Sequence, residues 1–180
     1  MKKLLSMLLI VTVVLTFMPT CAFGESVPTI SLSEQSEILE VGRTINIDVS
    51  LSGNPGIIGG RIDVEFDKSC FKLIGVTNTD QTLTATYNGY TKFPITSGKY
   101  TLSWDGDLLE EDIHNDGLLA TLKFEVIDSA TPGKKLVKVT DSEFGNYEMG
   151  SIVAKGVNGR ILLNQYLSKK QLVDITAPVK

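Results

Sequence analysis

Apolar and polar residues alternate with a period of two over most of the chain. Ile45, Ile47, Val49 and Leu51 alternate with Thr44, Asn46, Asp48 and Ser50. Ile58, Gly60, Ile62, Val64 and Phe66 alternate with Gly59, Arg61, Asp63 and Glu65. Leu118, Ala120, Leu122, Phe124 and Val126 alternate with Leu119, Thr121, Lys123 and Glu125. Side chains of a strand point to opposite faces in turn, so each run predicts a half-buried strand. Shorter candidates are Ile30–Leu32, Phe71–Val76, Leu83–Tyr87, Tyr100–Trp104, Leu136–Val139 and Gly159–Leu163. Turn signals separate them at Gly53-Asn54-Pro55-Gly56, Asn88-Gly89, Ser97-Gly98, Asp116-Gly117, Pro132-Gly133 and Asn158-Gly159. No long stretch keeps a period of 3.6. Many short strands with frequent turns predict an all-β protein, an antiparallel β-sandwich of about nine strands.

The two ends have a different texture. Lys2 and Lys3 precede an apolar run from Leu4 to Phe17, and Pro19 ends it. The run is shorter than the ~20 residues that span a bilayer. Ala22-Phe23-Gly24 puts small residues where a signal peptidase reads. Residues 1–24 are therefore expected to be a signal peptide cleaved after Gly24, which makes the mature chain secreted and extracellular with no membrane span. Cys21 would matter only in a lipoprotein leader, which Thr20 and Met18 fit poorly. Residues 25–163 form the domain. Residues 164–180 form a C-terminal tail with Lys169, Lys170 and Lys180 against Asp174, stopped by Pro178.

Composition narrows the function. The 180 residues include 17 Lys and Arg against 21 Asp and Glu, for a net charge of −4. Without the two leader lysines it is −6. Such a chain is a poor nucleic-acid ligand, since phosphate binding needs concentrated Lys and Arg. Two Cys and one His cannot make a Cys/His zinc site. Once the leader goes, Cys70 is alone and is expected to be a small buried residue beside Phe71. Asp105 to Asp116 is the most acidic stretch and holds His114. It fails as an EF-hand, because counting from Asp112 puts Lys123 where a bidentate Glu is required. Nothing supplies a nucleophile elbow, a phosphate loop or a fixed carboxylate pair, so no enzyme activity is expected. Trp104 is in phase with Tyr100 and Leu102, which predicts a core position rather than a sugar-stacking one.

The order of the motifs resembles a known family. Gly42-Arg43-Thr44-Ile45-Asn46-Ile47-Asp48-Val49 and then Gly56-Ile57-Ile58-Gly59-Gly60-Arg61-Ile62-Asp63-Val64-Glu65-Phe66-Asp67 resemble the opening strands of cohesin domains. Phe71–Val76 follows as their next apolar strand. Asp116-Gly117-Leu118-Leu119-Ala120-Thr121-Leu122-Lys123-Phe124 is similar to the family's D-G-V-F-A-T-I-x-F. Ala130-Thr131-Pro132-Gly133, Glu143-Phe144-Gly145-Asn146 and Asn158-Gly159-Arg160-Ile161 resemble its later motifs. The likeness runs from about Thr29 to Leu163.

The resemblance implies a nine-stranded sandwich of jelly-roll topology without catalysis. It implies binding to dockerin modules carried by secreted polysaccharide-degrading enzymes or scaffold proteins, in a cellulosome-like assembly. It implies no cofactor in this chain, the calcium of such pairs being held by the dockerin. By position, the partner-binding face would comprise Gly59, Arg61 and Asp63, then Ser103, Asp105 and Asp107, then Leu119, Thr121 and Lys123. Leu119 would be a buried apolar anchor, and Arg61, Asp63, Asp105 and Asp107 would set orientation and partner choice. Gly59 and Arg61 stand where many members carry an Asn and an Asp, a change that turns away a basic surface. Two alternatives stay open: a carbohydrate-binding module of similar sandwich fold, and a surface domain that self-associates.

Overall fold

Residues that alternate in the sequence alternate in burial. The computed structural model describes residues 27–77, 92–104 and 110–165. The leader, the strand expected at Leu83–Tyr87, the turn at Asn88-Gly89 and nearly all of the tail lie outside the described residues. Among the described residues are eleven strands: β1 (Thr29–Leu32), β2 (Glu34–Ile38), β3 (Thr44–Ser52), β4 (Gly59–Phe66), β5 (Phe71–Thr77), β6 (Lys99–Trp104), β7 (Gly117–Val126), β8 (Gly133–Gly145), β9 (Ser151–Val153), β10 (Lys155–Val157) and β11 (Gly159–Asn164). No helix is present among them.

The strands form two sheets, in the orders β10-β1-β3-β7-β5 and β2-β11-β8-β4-β6, with β9 added beside the far end of β8. We call them the first and second sheet. The sandwich stands as expected. Most pairings are antiparallel, but β1 runs parallel to β10, and β2 parallel to β11. The N-terminal segment changes sheet at Ser33, whose amide donates to the carbonyl of Asp48 and whose hydroxyl accepts from the Asp48 amide at 2.9 Å.

The inward rows meet in one core. Ile45, Ile47, Val49 and Leu51 of β3, and Ile62, Val64 and Phe66 of β4, are buried as the alternation requires. Phe66 and Phe124 pack edge to face across the sheets with centroids 5.0 Å apart. Each fully buried side chain of this size contributes about 1.5–3 kcal/mol relative to exposure. Cys70 is buried and unpaired, as expected. Trp104 is buried too, against Phe144 at 5.7 Å between ring centroids. Gly60 makes room for this pair: a Cβ there would lie 2.2 Å from Phe144 Cδ1 and 3.0 Å from the Glu143 carbonyl.

Three β-bulges alter the period. One falls in β7, where Val49 faces Ala120 but Ser50 faces Leu118, leaving Leu119 as the extra residue. Another falls in β8, where Asp63 faces Asp141 and Val64 faces Val139, leaving Thr140 extra. The third lies in β5, between Leu73 and Gly75. An extra residue moves the side chains beyond it to the other face.

Candidate functional site

The outer face of the second sheet gathers part of the expected partner-binding set. Arg61 stands between Ser103 of β6 and Glu143 of β8, and Asp63 between Thr101 and Asp141. The Arg61 guanidinium reaches diagonally to Asp141, with Nη2 2.6 Å from Oδ2. The Thr101 hydroxyl donates to Asp63 Oδ1 at 2.7 Å. The Ser151 hydroxyl donates to Glu143 Oε1 at 2.8 Å. Asp63 and Asp141 are like charges directly opposite each other, an arrangement that destabilises a sheet unless compensated. Arg61 and Thr101 supply that compensation and hold both carboxylates in place. The ion pair is half exposed, 48 % for Arg61 and 54 % for Asp141, so its own contribution to stability is about 0.2–1 kcal/mol.

The end of this face is bare. Gly59 pairs with Gly145 across β4 and β8. Beside it, a shallow hollow of about 570 Å³ opens between Arg61, Glu143, Trp104, Met149 and Ser151. Met149 caps the β8–β9 turn with φ +60°, a left-handed conformation that costs a non-glycine residue energy. The turn is tied by the Met149 amide donating to the Asn146 carbonyl at 3.0 Å and the Gly150 amide donating to Asn146 Oδ1 at 2.6 Å. The Met149 side chain is 95 % exposed, and Tyr147 beside it is also exposed. Sequence reasoning did not single out either residue. The signal was an Asn and a Gly four apart, closing a short turn after an apolar strand.

Three expected site residues do not belong to this face. β7 lies in the first sheet, so Leu119, Thr121 and Lys123 cannot join β4 and β6. Thr121 and Lys123 point outward from the first sheet, where the Thr121 hydroxyl donates to Asp48 Oδ1 at 2.7 Å. Leu119 is no surface anchor. The bulge turns it inward, and it is 0 % exposed. Of the β6 set, Ser103 is in place. Asp105 and Asp107 lie outside the described residues.

The described part of the acidic stretch has structural work. The Asn54 amide donates to Asp116 Oδ1 at 2.9 Å, and Asn54 Nδ2 donates to the carbonyls of Ile113 and Asn115. Backbone amides of Asn54 and Gly53 hold the Asp116 carboxyl below the ordinary aspartate range. Asp112 accepts from the Tyr147 amide at 2.6 Å. These acids therefore pin the β3–β4 turn and the β8–β9 turn. Among the described residues, no three Asp, Glu, His or Cys side chains converge as metal ligands. One buried side-chain polar atom among them has no hydrogen-bond partner, Trp104 Nε1.

A family model described as a cohesin domain matches residues 28–163. Cellulose-binding protein A of Clostridium cellulovorans is 24 % identical over 141 residues, which is 78 % of this chain and 8 % of that protein. The chain thus spans a small fraction of this curated relative's length. Among solved structures, a type I cohesin–dockerin complex from Clostridium thermocellum matches with a TM-score of 0.64. It is 22 % identical and covers 77 % of this chain and 100 % of that one. A non-cellulosomal cohesin from the archaeon Archaeoglobus fulgidus matches with a TM-score of 0.61 at 14 % identity, over 84 % of this chain and 99 % of that one. At such identities the likeness establishes the sandwich fold.

Proposed function

The chain belongs to the cohesin domain family, and from that premise we propose that it is a non-catalytic, extracellular adaptor that docks dockerin modules on the outer face of β8, β4 and β6. The dockerins would be carried by secreted polysaccharide-degrading enzymes or scaffold proteins, and would hold the calcium that the pair needs. The observation that carries this reading is the prealigned polar ladder Asp141–Asp63–Thr101 and Glu143–Arg61–Ser103 beside the bare Gly59/Gly145 end. Its donors and acceptors are fixed before a partner arrives, so little side-chain entropy is lost on docking. Arg61 and Asp63 set orientation and partner choice. Met149, at the edge of the ladder, supplies the apolar contact once assigned to Leu119.

The test is capture of dockerin-bearing proteins by the immobilised protein, with and without EDTA. Recovery only with calcium, lost in Arg61→Glu while the fold is retained, is the expected result. Unchanged capture by a folded Arg61→Glu/Asp63→Asn variant overturns the assignment of the face. The alternative of direct polysaccharide binding has one exposed aromatic among the described residues to draw on, Tyr147. Depletion onto insoluble polysaccharide, with soluble sugar as competitor, separates the two.

A further inference from the structure

The other end of the second sheet carries the reverse charge. Lys134, Leu136 and Lys138 stand on the outer side of β8. Across β11, Leu162 faces Lys134 and Arg160 faces Leu136. Glu65 is flanked by Lys138 on one side and Lys99 on the other. Lys68 lies against Gly98 at the start of β6. Two nearby acids are already taken: Glu34 by Arg160 at 2.6 Å, and Asp67 by Lys135 at 3.7 Å. Lys68, Lys99, Lys134 and Lys138 are exposed and, among the described residues, none has a carboxylate within ion-pair distance. Glu65 is the acid left among these four. A positive surplus is therefore concentrated on one end of a chain whose net charge is −4.

The surface is shaped as well as charged. One hollow of about 350 Å³ lies between Glu34, Ser36, Arg160, Leu162 and Lys134. A second of about 350 Å³ lies between Lys134, Leu136, Lys138, Glu65 and Phe66. They adjoin at Lys134, and the trough they make follows the outer side of β8 from Lys134 to Lys138, with β11 and β2 on one flank and β4 on the other. Leu136 and Leu162, 41 % and 39 % exposed, form its apolar floor.

We infer that this trough is a docking surface for an acidic peptide segment, distinct from the Arg61–Asp63 ladder. The segment lies extended along the outer side of β8. Its carboxylates sit over Lys134 and Lys138, and an apolar side chain between them rests on Leu136 and Leu162. Charge complementarity of this kind steers encounter and fixes register. The leucines choose between anions: a phosphate polymer or an acidic glycan can use the lysines but brings nothing to cover the floor.

The experiment is fluorescence anisotropy of the purified protein with a labelled peptide of repeated Glu-Ser-Leu-Ser, in which Glu and Leu follow one another on the same face of an extended chain. Binding is expected at about 20 mM salt and should weaken strongly at about 500 mM, where screening acts within a few ångströms. Lys134→Glu/Lys138→Glu should weaken it by about tenfold or more, as expected for two lost exposed pairs turned repulsive. Leu136→Ser should weaken it at unchanged charge, and Lys123→Glu on the first sheet should not. If the double reversal melts early, Lys134→Gln/Lys138→Gln replaces it. No binding at low salt, or binding indifferent to these variants, overturns the proposal. So does a polyphosphate chain that binds as tightly as the peptide and ignores Leu136→Ser, since that is an anion surface without peptide readout.

Discussion

Replacing Leu119 by Ala should weaken the sandwich itself rather than its contact with a partner. The side chain is wholly buried in the first sheet's inner row, delivered there by the bulge in β7. The change deletes three carbons. At about 0.8 kcal/mol per buried methylene the lost transfer energy is roughly 2.4 kcal/mol. The cavity left against neighbours that relax only in part brings the total to about 3–5 kcal/mol. Roughly two to four orders of magnitude in the unfolding equilibrium follow. With a urea dependence of about 1–3 kcal/mol/M, the midpoint should fall by at least about 1 M. Thr121→Ala two residues along is the control. It loses one hydroxyl hydrogen bond at the surface, about 1 kcal/mol. Urea unfolding of both variants, with dockerin capture measured on the folded fraction, reads the two effects apart. A Leu119→Ala protein with the wild-type midpoint and no capture would refute the inward placement and restore Leu119 as a surface anchor.

Gly60→Ala should cost about 1–3 kcal/mol, because the new methyl overlaps the Phe144 ring; the emission of Trp104, the chain's one Trp, should shift as its packing on Phe144 changes. Acid should destabilise the fold through Asp67 and Asp116. Their carboxyls are held below the ordinary aspartate value of 3.8, Asp67 chiefly by the Ser69 hydroxyl and Asp116 by the Asn54 amide. A depressed folded pKa means that the unfolded chain takes up the proton first. The stabilisation is thus full above the unfolded value and is lost as pH falls through the folded ones. Thermal melts down to about pH 2 check this, and Asp116→Asn should flatten the acid limb. A double-mutant cycle on Arg61 and Asp141 should return no more than about 1 kcal/mol of coupling in stability, because the pair is exposed.

Alternation along the chain reveals which side of a strand faces the core, so β3, β4, β6 and β11 could be read from the sequence to within a residue or two. It does not reveal which sheet a strand joins. The family resemblance, not the alternation, grouped β7 with β4 and β6, and it pairs instead with β3 and β5. Nor does alternation reveal bulges. Leu118 and Leu119 are both apolar, and the pairing with β3, not the sequence, decides that Leu119 goes inward. The far half of β8 was missed because Thr140 breaks the period there. β2, Glu34-Gln35-Ser36-Glu37-Ile38, has no apolar row because it is an edge strand with little to bury, and β9 and β10 span three residues each. In the candidate site, the Arg61–Asp63 row was legible from its outward phase. Met149 was not, since its place depends on the β8–β9 turn folding back beside that row.

The two parallel pairings bear on how the domain answers to tension. The adaptor role proposed above would put the domain under load whenever the bodies it links are drawn apart. When the chain is held by its two ends, as in single-molecule pulling, the force draws β2 toward its start and β11 toward its end. In a parallel pair, those opposed pulls run along the strands. The five rungs from Glu34–Arg160 to Ile38–Asn164 are then loaded together, in shear, and must give way together. An antiparallel pair gripped at one end would open like a zipper, one rung at a time. Gly159, where a Cβ would lie 2.4 Å from the Ser33 carbonyl, is the close approach that seats this clasp. Gly159→Val should therefore lower the rupture force in single-molecule pulling; an unchanged force would place the mechanical resistance elsewhere.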